Sequence, residues 1–418
     1  QLSNVSIVDS AVVTRFLVQD KRVIGVVYLN INNGDVHVVQ AKATILATGG
    51  YEELWPFTDT PPDATGETLA MVYQLGAQLV DLEMVLYYPG VVVYPPAARG
   101  WLVQYEYILN PDILDGRVLN GQNEVFVKGF PARDEFIQAI RDEVKKGTAS
   151  PHGGFFVDLT QSRYPTQILT EKIASWLHQF GNLRNVGIDL RTDKLEMAPA
   201  AHYCLGGIKI DEQGRTNIEG LFAAGEVSGN VHGANRISGN ALSETQVFGR
   251  RAALGACEYA SNSSDFVNAS LVDEVFVEYW QIAQWKQVKD NPIRPSALKA
   301  ELQEIMDQYV GLERNEDRLN VGLNKVNTLQ EKLKSIQTVP NKCYCYEVQE
   351  AFEVRGMLAL AKIVILSALA RKETRGHHYR TDYPQTEEEA KHILISLEQG
   401  EDRLVSIPVR RLEWEGAL

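Results

Sequence analysis

The chain has 418 residues, 44% hydrophobic and 23% charged, a composition typical of a globular protein with about two or three domains. Its 41 basic and 54 acidic residues give a net charge of −13, which argues against nucleic acid or an anionic membrane as a partner. No run of about 20 apolar residues predicts a membrane-spanning helix. Four scattered cysteines indicate a reducing compartment, so we expect a cytoplasmic protein, or one held peripherally at a membrane by a partner.

The N-terminal region has the pattern of paired strands. Residues 5 to 47 alternate apolar and polar side chains, and breaks at Asp20-Lys21 and Asn33-Gly34 predict a small antiparallel meander. The last strand, residues 43–47, is almost wholly apolar, as a buried parallel strand should be. It ends in Thr48-Gly49-Gly50, where small residues would let a ligand approach closely. A simple turn is the equal alternative for these glycines.

The composition and the apolar spacing of the sequence change twice beyond this point. Residues 86–200 are rich in proline and aromatic residues, and they predict an inserted α+β domain with helices near 131–146 and 168–181. After Asp265 the apolar residues recur every three to four positions in three stretches, which predicts a three-helix bundle. The three stretches are residues 298–309, 319–336 and 348–370.

The segment from Gly220 to Leu242 has the strongest functional signature. Glycine, asparagine, histidine and serine separate an apolar strand at 221–224 from a helical pattern that begins near Ala241, and Arg236 lies among them. The start of a helix offers unpaired N–H groups and a partial positive charge. The segment therefore predicts a site for an anionic or electron-rich ligand. We predict no metal site, because Cys343 and Cys345 have no second cysteine pair nearby.

Five motifs in a fixed order carry a resemblance to a known family. They are ATGG at 47–50, PARDEF at 131–136, AHYCLGG at 201–207, HGANRISGNAL at 232–242 and TRGHHYRTDYP at 374–384. Together they resemble the flavoprotein subunits of succinate dehydrogenase and fumarate reductase, and L-aspartate oxidase. The resemblance implies an α/β fold with a partial FAD-binding Rossmann-like domain and its antiparallel meander, an inserted α+β capping domain and a C-terminal three-helix bundle.

The segments implied by this resemblance divide the chain into five. The FAD-binding domain has a first segment at 1–85 and a second at 201–265. The capping domain is residues 86–200, the helical domain is residues 266–375, and residues 376–418 form a C-terminal segment.

The resemblance also implies an activity, the interconversion of a saturated dicarboxylate and its α,β-unsaturated form. Hydride would exchange with flavin N5, and a proton would pass through Arg133. His202 and Arg236 correspond to ligands of a substrate carboxylate, and Tyr88 stands where the family often has a substrate-binding histidine. Noncovalent FAD would be bound by the following residues: Ala47, Thr48, Gly49, Gly50, Glu67, Gly225, Glu226, Asn240, Ala241 and Leu242. Electrons would arrive through an iron–sulfur partner subunit or from a diffusible donor.

Two departures from the family pattern qualify this picture. The stretch that holds a proton-relaying glutamate and arginine has no counterpart in its nearest segment, residues 107–116, so the groups expected to relay protons to Arg133 are missing, which argues against a fast fumarate reductase. A glycine-rich βαβ unit, which would hold the FAD pyrophosphate, does not precede the meander, and we expect the same or another chain to supply it. An L-aspartate oxidase-like enzyme and a non-catalytic assembly subunit that retains the fold are the alternatives.

Overall fold

The computed structural model describes residues 4–178, 180–263, 291–339, 341 and 343–409, and it divides the chain into two compact units. Unit 1 comprises Gln1–Pro56, Pro62–Val85 and Cys204–Leu418, and unit 2 comprises Phe57–Pro61 and Leu86–Tyr203. The beginning of the predicted helical domain, 266–290, and the end of the C-terminal segment, 410–418, lie outside the described residues.

The predicted meander forms the start of unit 1. Its three antiparallel strands are β1 (Ala11–Gln19), β2 (Arg22–Asn30) and β3 (Val36–Gln40). Both predicted breaks fall between strands. The next strand, β4 (Thr44–Leu46), pairs in parallel with a strand from much later in the chain, which is β12 (Leu221–Ala223).

The prediction that residues 43–47 form a buried strand is wrong for most of them, because Ile45 and Ala47 are exposed and Ala43 and Thr44 are only half-buried. Leu46 is buried, but the side chain of Ile45 is 41% exposed. Successive side chains of a strand point to opposite faces of a sheet. Only one face of β4 is therefore covered by other described residues, although its composition suggested two.

A second sheet in unit 1 joins distant parts of the sequence. Its order is β11-β5-β13-β14, and all three pairings are antiparallel. Its strands are β5 (Leu79–Val80), β11 (Gly207–Ile208), β13 (Lys391–Glu398) and β14 (Glu401–Pro408). The hairpin from the end of the chain is thereby fixed to the region before residue 85.

Helices complete unit 1, and three of them form the predicted bundle. One helix, α9 (Tyr346–Ala370), is buried along most of its length and packs against α1 (Glu67–Gln74), α7 (Pro295–Val310) and α8 (Glu316–Lys332). The closest approach is at Gly356, where an added Cβ would lie 2.4 Å from Cβ of Glu67, so a larger residue would push α9 away from α1. The helices of unit 1 are α1 (Glu67–Gln74), α6 (Asn240–Asn262), α7 (Pro295–Val310), α8 (Glu316–Lys332) and α9 (Tyr346–Ala370).

Unit 2 is built on a five-stranded sheet of order β6-β10-β9-β7-β8. Its strands are β6 (Val85–Tyr94), β7 (Arg117–Leu119), β8 (Val125–Val127), β9 (Phe155–Asp158) and β10 (Leu195–Cys204). Its helices are α2 (Tyr105–Leu109), α3 (Arg133–Lys146), α4 (Thr166–Trp176) and α5 (Phe180–Asn185). The single helix predicted near 168–181 is in fact two, because the extended backbone of Leu177 ends α4.

The ends of α3 follow from its sequence. Asp134 and Glu135 lie in its first turn, Lys145 and Lys146 in its last, and Gly147 ends it with a left-handed backbone. These charges match the helix dipole, which favours acids at the N-terminus and bases at the C-terminus. Arg133 is the first residue of this helix.

Candidate active site

The guanidinium group of Arg133 lies in a confined environment in unit 2. The side chain is only 10% exposed, and Nη2 lies 3.4 Å from Oε1 of Glu106. Its Cζ lies 5.2 Å from the centroid of the Tyr88 ring. Nε and Nη1 are buried and have no hydrogen-bond partner among the residues that the structure describes. Buried donors without partners are costly, and a catalytic or ligand-binding role commonly explains them.

Glu106, on α2, is a functional candidate that the sequence comparison missed. Its carboxylate accepts hydrogen bonds from the Tyr88 hydroxyl and from Arg133. A carboxylate therefore lies beside Arg133, where the motif comparison found the family's relay glutamate missing. The motif comparison took residues 107–116 as the nearest segment and found the relay absent there; Glu106 precedes that segment by one residue, and its closeness to Arg133 is visible only in the fold.

Two tyrosines next to Glu106, Tyr88 and Tyr105, have raised pKa values. Burial, and then the charge of Glu106, raises the pKa of Tyr88 far above its usual value. The same two causes raise the pKa of Tyr105 to about 12. At neutral pH both phenols are hydrogen-bond donors, and Glu106 is the acceptor among these groups.

A buried carboxylate orients His202, on β10. Nδ1 of His202 lies 2.8 Å from Oδ2 and 3.1 Å from Oδ1 of Asp59, whose side chain is buried. The ring of His202 also lies 5.1 Å from the ring of Tyr88. Such a carboxylate fixes the orientation and tautomer of an imidazole, so Nδ1 carries a proton toward Asp59. Unit 2 thus groups Tyr88, Arg133 and His202, as their shared predicted role requires.

The other predicted residues belong to unit 1, where β4 and β12 run in parallel. Their carboxyl ends lead into Ala47–Gly50 and into Gly225-Glu226, the position at which open α/β sheets bind ligands. Oε1 of Glu226 accepts the backbone N–H of Cys204 at 2.7 Å. The N–H of Gly225 donates to Oε1 of Glu244 at 3.2 Å, which ties this loop to α6.

The first turn of α6 suits a flat, electron-rich ring. The helix begins at Asn240, and Ala241 and Leu242 lie in its first turn, where backbone N–H groups have no partner within the helix. Leu242 is 77% exposed and Ile237 is 76% exposed, so apolar surface flanks these donors. An isoalloxazine ring needs both features, and the residues present fit FAD.

The loop that carries Arg236 is braced by the last of the five motifs. The backbone N–H of His377 donates to the carbonyl of Ala234 at 3.3 Å. Arg236 itself is buried. Burial and the charge of Arg236 lower the pKa of His232 to about 4, so this histidine is neutral at pH 7 and Arg236 carries the charge of the loop.

Glu67 lies at the start of α1, where its carboxylate accepts the hydroxyl of Thr65. It also packs against Gly356 of α9. Its position therefore has a structural explanation, and its contact with a cofactor stays a prediction.

Comparison with known proteins assigns the chain to a family. Residues 1–242 match the model described as "FAD binding domain", and residues 299–415 match the one described as "Fumarate reductase flavoprotein C-term". One of the subunits of the fumarate reductase (CoM/CoB) of Methanothermobacter marburgensis is 37% identical over 398 residues, which cover 94% of this chain and 70% of that protein. This chain belongs to the fumarate reductase and succinate dehydrogenase flavoprotein family.

Two further relatives show the breadth of this flavoprotein family. L-aspartate oxidase 2-b of Nicotiana tabacum is 32% identical over 370 residues, covering 83% of this chain and 54% of that protein. The solved structure of Mycobacterium smegmatis Sdh1 in complex with UQ1 matches with a TM-score of 0.83 and 29% identity, covering 96% of this chain and 67% of that one. The predicted fold class is confirmed.

Membership in the family fixes the general chemistry. The chain is a flavin-dependent oxidoreductase that acts on CH–CH bonds, and its cofactor is FAD. Among the helices that the structure describes, none has both the length and the apolar character needed to cross a membrane.

Proposed function

We propose that this flavoprotein interconverts a saturated dicarboxylate and its α,β-unsaturated form, as succinate and fumarate are interconverted. The observation that carries the proposal is the buried guanidinium of Arg133, with two unpartnered donor nitrogens among the described residues and Glu106 beside it. The resemblance to proteins named fumarate reductase supports it. Bound FAD would supply the hydride acceptor or donor, and the residues of the chain bind the substrate and move the proton.

Proton transfer by an arginine requires a partner that restores its proton. A guanidinium has a pKa above about 12 and seldom loses its proton. Glu106 is the neighbouring acceptor, and with 23% of its side chain exposed it reaches solvent more readily than Arg133 does. We assign Arg133 as the proton donor to the substrate carbon and Glu106 as the group that re-protonates it. His202, oriented by Asp59, would bind a substrate carboxylate.

Unit 1 would hold FAD and one anionic group. The loops after β4 and β12 would contact the cofactor, and the first turn of α6 would present its positive end to it. Arg236 would pair with a carboxylate through its planar fork. The proposed cofactor contacts are Ala47, Thr48, Gly49, Gly50, Glu67, Gly225, Glu226, Asn240, Ala241 and Leu242. We also propose that unit 2 is the capping domain and that an iron–sulfur subunit exchanges electrons with the flavin.

Glu106→Gln tests the relay. The amide keeps the size of the side chain but cannot pass a proton to Arg133, so turnover in either direction should fall by about 100- to 10,000-fold. The KM for the dicarboxylate should change little. Steady-state kinetics with succinate and an artificial electron acceptor measure both constants. Unchanged turnover would remove Glu106 from the mechanism, and Asp112→Asn, an exposed carboxylate in the same region, is the control.

Arg236→Ala should weaken substrate binding. Loss of a buried charged donor from an ion pair should raise the dissociation constant of a dicarboxylate about 100-fold, corresponding to about 3 kcal/mol. Perturbation of the flavin absorbance by added dicarboxylate measures the affinity. Arg250→Ala changes an exposed arginine on α6 and should leave the affinity unaltered. A wild-type affinity in Arg236→Ala would exclude Arg236 from the substrate site.

An L-aspartate oxidase activity is the second candidate, because the Nicotiana tabacum oxidase is also a relative. The two activities differ in the substrate that reduces the flavin. Anaerobic bleaching of the flavin by L-aspartate, with none by succinate, would favour the oxidase.

A further inference from the structure

A second carboxylate, that of Glu52, lies close to Glu226, and the proposed chemistry does not use it. Glu52 lies two residues after Gly50, at the start of a short 3-10 helix (Glu52–Leu54), and it is 0% exposed. Glu226 is half-buried. One ligand atom each from Glu52, Glu226 and Cys204 lie within 4.8 Å of one another.

Gly50 shows how closely the two carboxyl groups approach. A Cβ added to Gly50 would lie 2.6 Å from each carboxylate oxygen of Glu52 and 2.7 Å from Oε1 of Glu226. Both carboxyl groups therefore lie against the same face of Gly50, and a side chain at this position would displace them. Neither oxygen of Glu52 has a hydrogen-bond partner within the described ranges when both acids are ionised.

Two ionised carboxylates cannot lie this close in a buried position, because each strongly disfavours the charge of the other. Burial and the charge of Glu52 raise the pKa of Glu226 to about 11. The groups around the two carboxylates do not neutralise this electrostatic repulsion. Burial and the charges of Glu52 and Glu226 raise the pKa of Cys204, and burial with the charges of Cys204, Glu83 and Glu52 raises the pKa of Tyr51. Arg236 is the cation that lowers the pKa of Glu226.

We propose that Glu52 and Glu226 share one proton at neutral pH, and that Glu52 is a positioning residue which keeps the half-buried Glu226 in a neutral, hydrogen-bonded form. A ligand can reach Glu226 but not Glu52, so Glu52 acts only through its partner. The consequence of this shared proton for the cofactor rests on the proposed function, in which Glu226 contacts FAD. FAD would meet a neutral carboxyl group there, and its affinity should be insensitive to pH across the neutral range.

Infrared spectroscopy of the holoenzyme tests the shared proton directly. A protonated carboxyl group has a carbonyl-stretching band distinct from that of a carboxylate, and the wild type should retain the band of this pair at pH 9. Glu226→Gln should abolish that band. In Glu52→Gln the band should titrate away at a pH at least about one unit lower, because the charge that opposes ionisation of Glu226 is gone. Glu53→Gln, which alters the adjacent carboxylate that pairs with Lys299, should leave the band unchanged.

Three results would overturn the pair: no such band in the wild type, a band that survives Glu226→Gln, or an unmoved titration in Glu52→Gln. A stoichiometric divalent metal ion that is lost in Glu52→Gln would also overturn it, since a cation would then neutralise the acids. FAD affinity, measured by fluorescence against pH, tests the second step separately. Wild-type affinity should vary little between pH 6 and 9, and Glu52→Gln should make it pH-dependent. If the infrared shift occurs while Glu226→Gln leaves FAD affinity unaltered, the FAD contact alone is wrong.

Discussion

Arg133→Ala is expected to lower succinate–fumarate interconversion by about 100- to 10,000-fold, because it removes the group assigned to deliver the proton to the substrate carbon. Tyr88 and Tyr105 both have raised pKa values and retain their protons. The flavin absorbance spectrum should be unchanged, since every residue proposed to contact FAD belongs to unit 1. Turnover in both directions and the absorbance of the purified variant are the measurements.

Two further variants separate chemistry from charge and from helix stability. Arg133→Lys keeps the positive charge but loses the planar fork that reaches Glu106, so its turnover should stay low. Lys146→Ala removes an exposed cation from the far end of the same helix and should leave turnover intact. Normal turnover in Arg133→Ala with an intact flavin spectrum would contradict the assigned role.

Periodicity was sufficient for the larger elements of this fold. The meander and the three long helices each show an apolar repeat of the matching period, whereas the short apolar run at 221–224 was predicted as a strand from its composition and the glycines that flank it. The two-residue strands β5 and β11 have no such repeat. They form because the C-terminal hairpin adds to them, and pairing between segments some 300 residues apart leaves no local trace in the sequence.

The site was predictable where motifs are contiguous and was missed where the fold assembles it. Arg133, His202 and Arg236 each lie within a recognisable run of letters. Glu106 and Asp59 do not, and only the placement of α2 and of the 57–61 segment brings them to Arg133 and His202. Glu52 was missed for another reason, since charged residues are expected at the surface and this one is fully buried.

The TRGHHYRTDYP motif has a structural role, although its histidines and arginines suggested a functional one. Nη1 of Arg380 donates to the carbonyls of Ala368 and Arg371, at distances of 2.8 Å and 3.1 Å, and so satisfies the end of α9. The same segment braces the loop of Arg236 through His377. One stretch of chain therefore fixes both the end of α9 and the loop that carries Arg236.

Arg371→Leu is expected to have the largest effect on stability. Its side chain is 3% exposed and pairs with Asp81 at 2.9 Å, Glu83 at 2.5 Å and Glu373 at 2.9 Å. Removing the cation leaves buried carboxylates without their main partner, which should lower the free energy of unfolding by about 3–5 kcal/mol. Urea denaturation followed by circular dichroism measures it. Arg403→Leu breaks an exposed pair between β14 and Glu398 of β13 and should cost less than about 1 kcal/mol.

The pH dependence of the loss distinguishes an electrostatic cause from poor packing. Burial raises the pKa of Glu83 and Arg371 opposes that rise, so removal of Arg371 should raise the pKa further. An acid whose pKa is higher in the folded state binds more protons there, and its contribution to stability is lost as pH rises above its unfolded value, near 4.5. The difference in unfolding free energy between wild type and Arg371→Leu should therefore be smaller at pH 5 than at pH 8. An equal difference at both values would mean that Arg371 stabilises the fold by packing, and that its ion pairs contribute little.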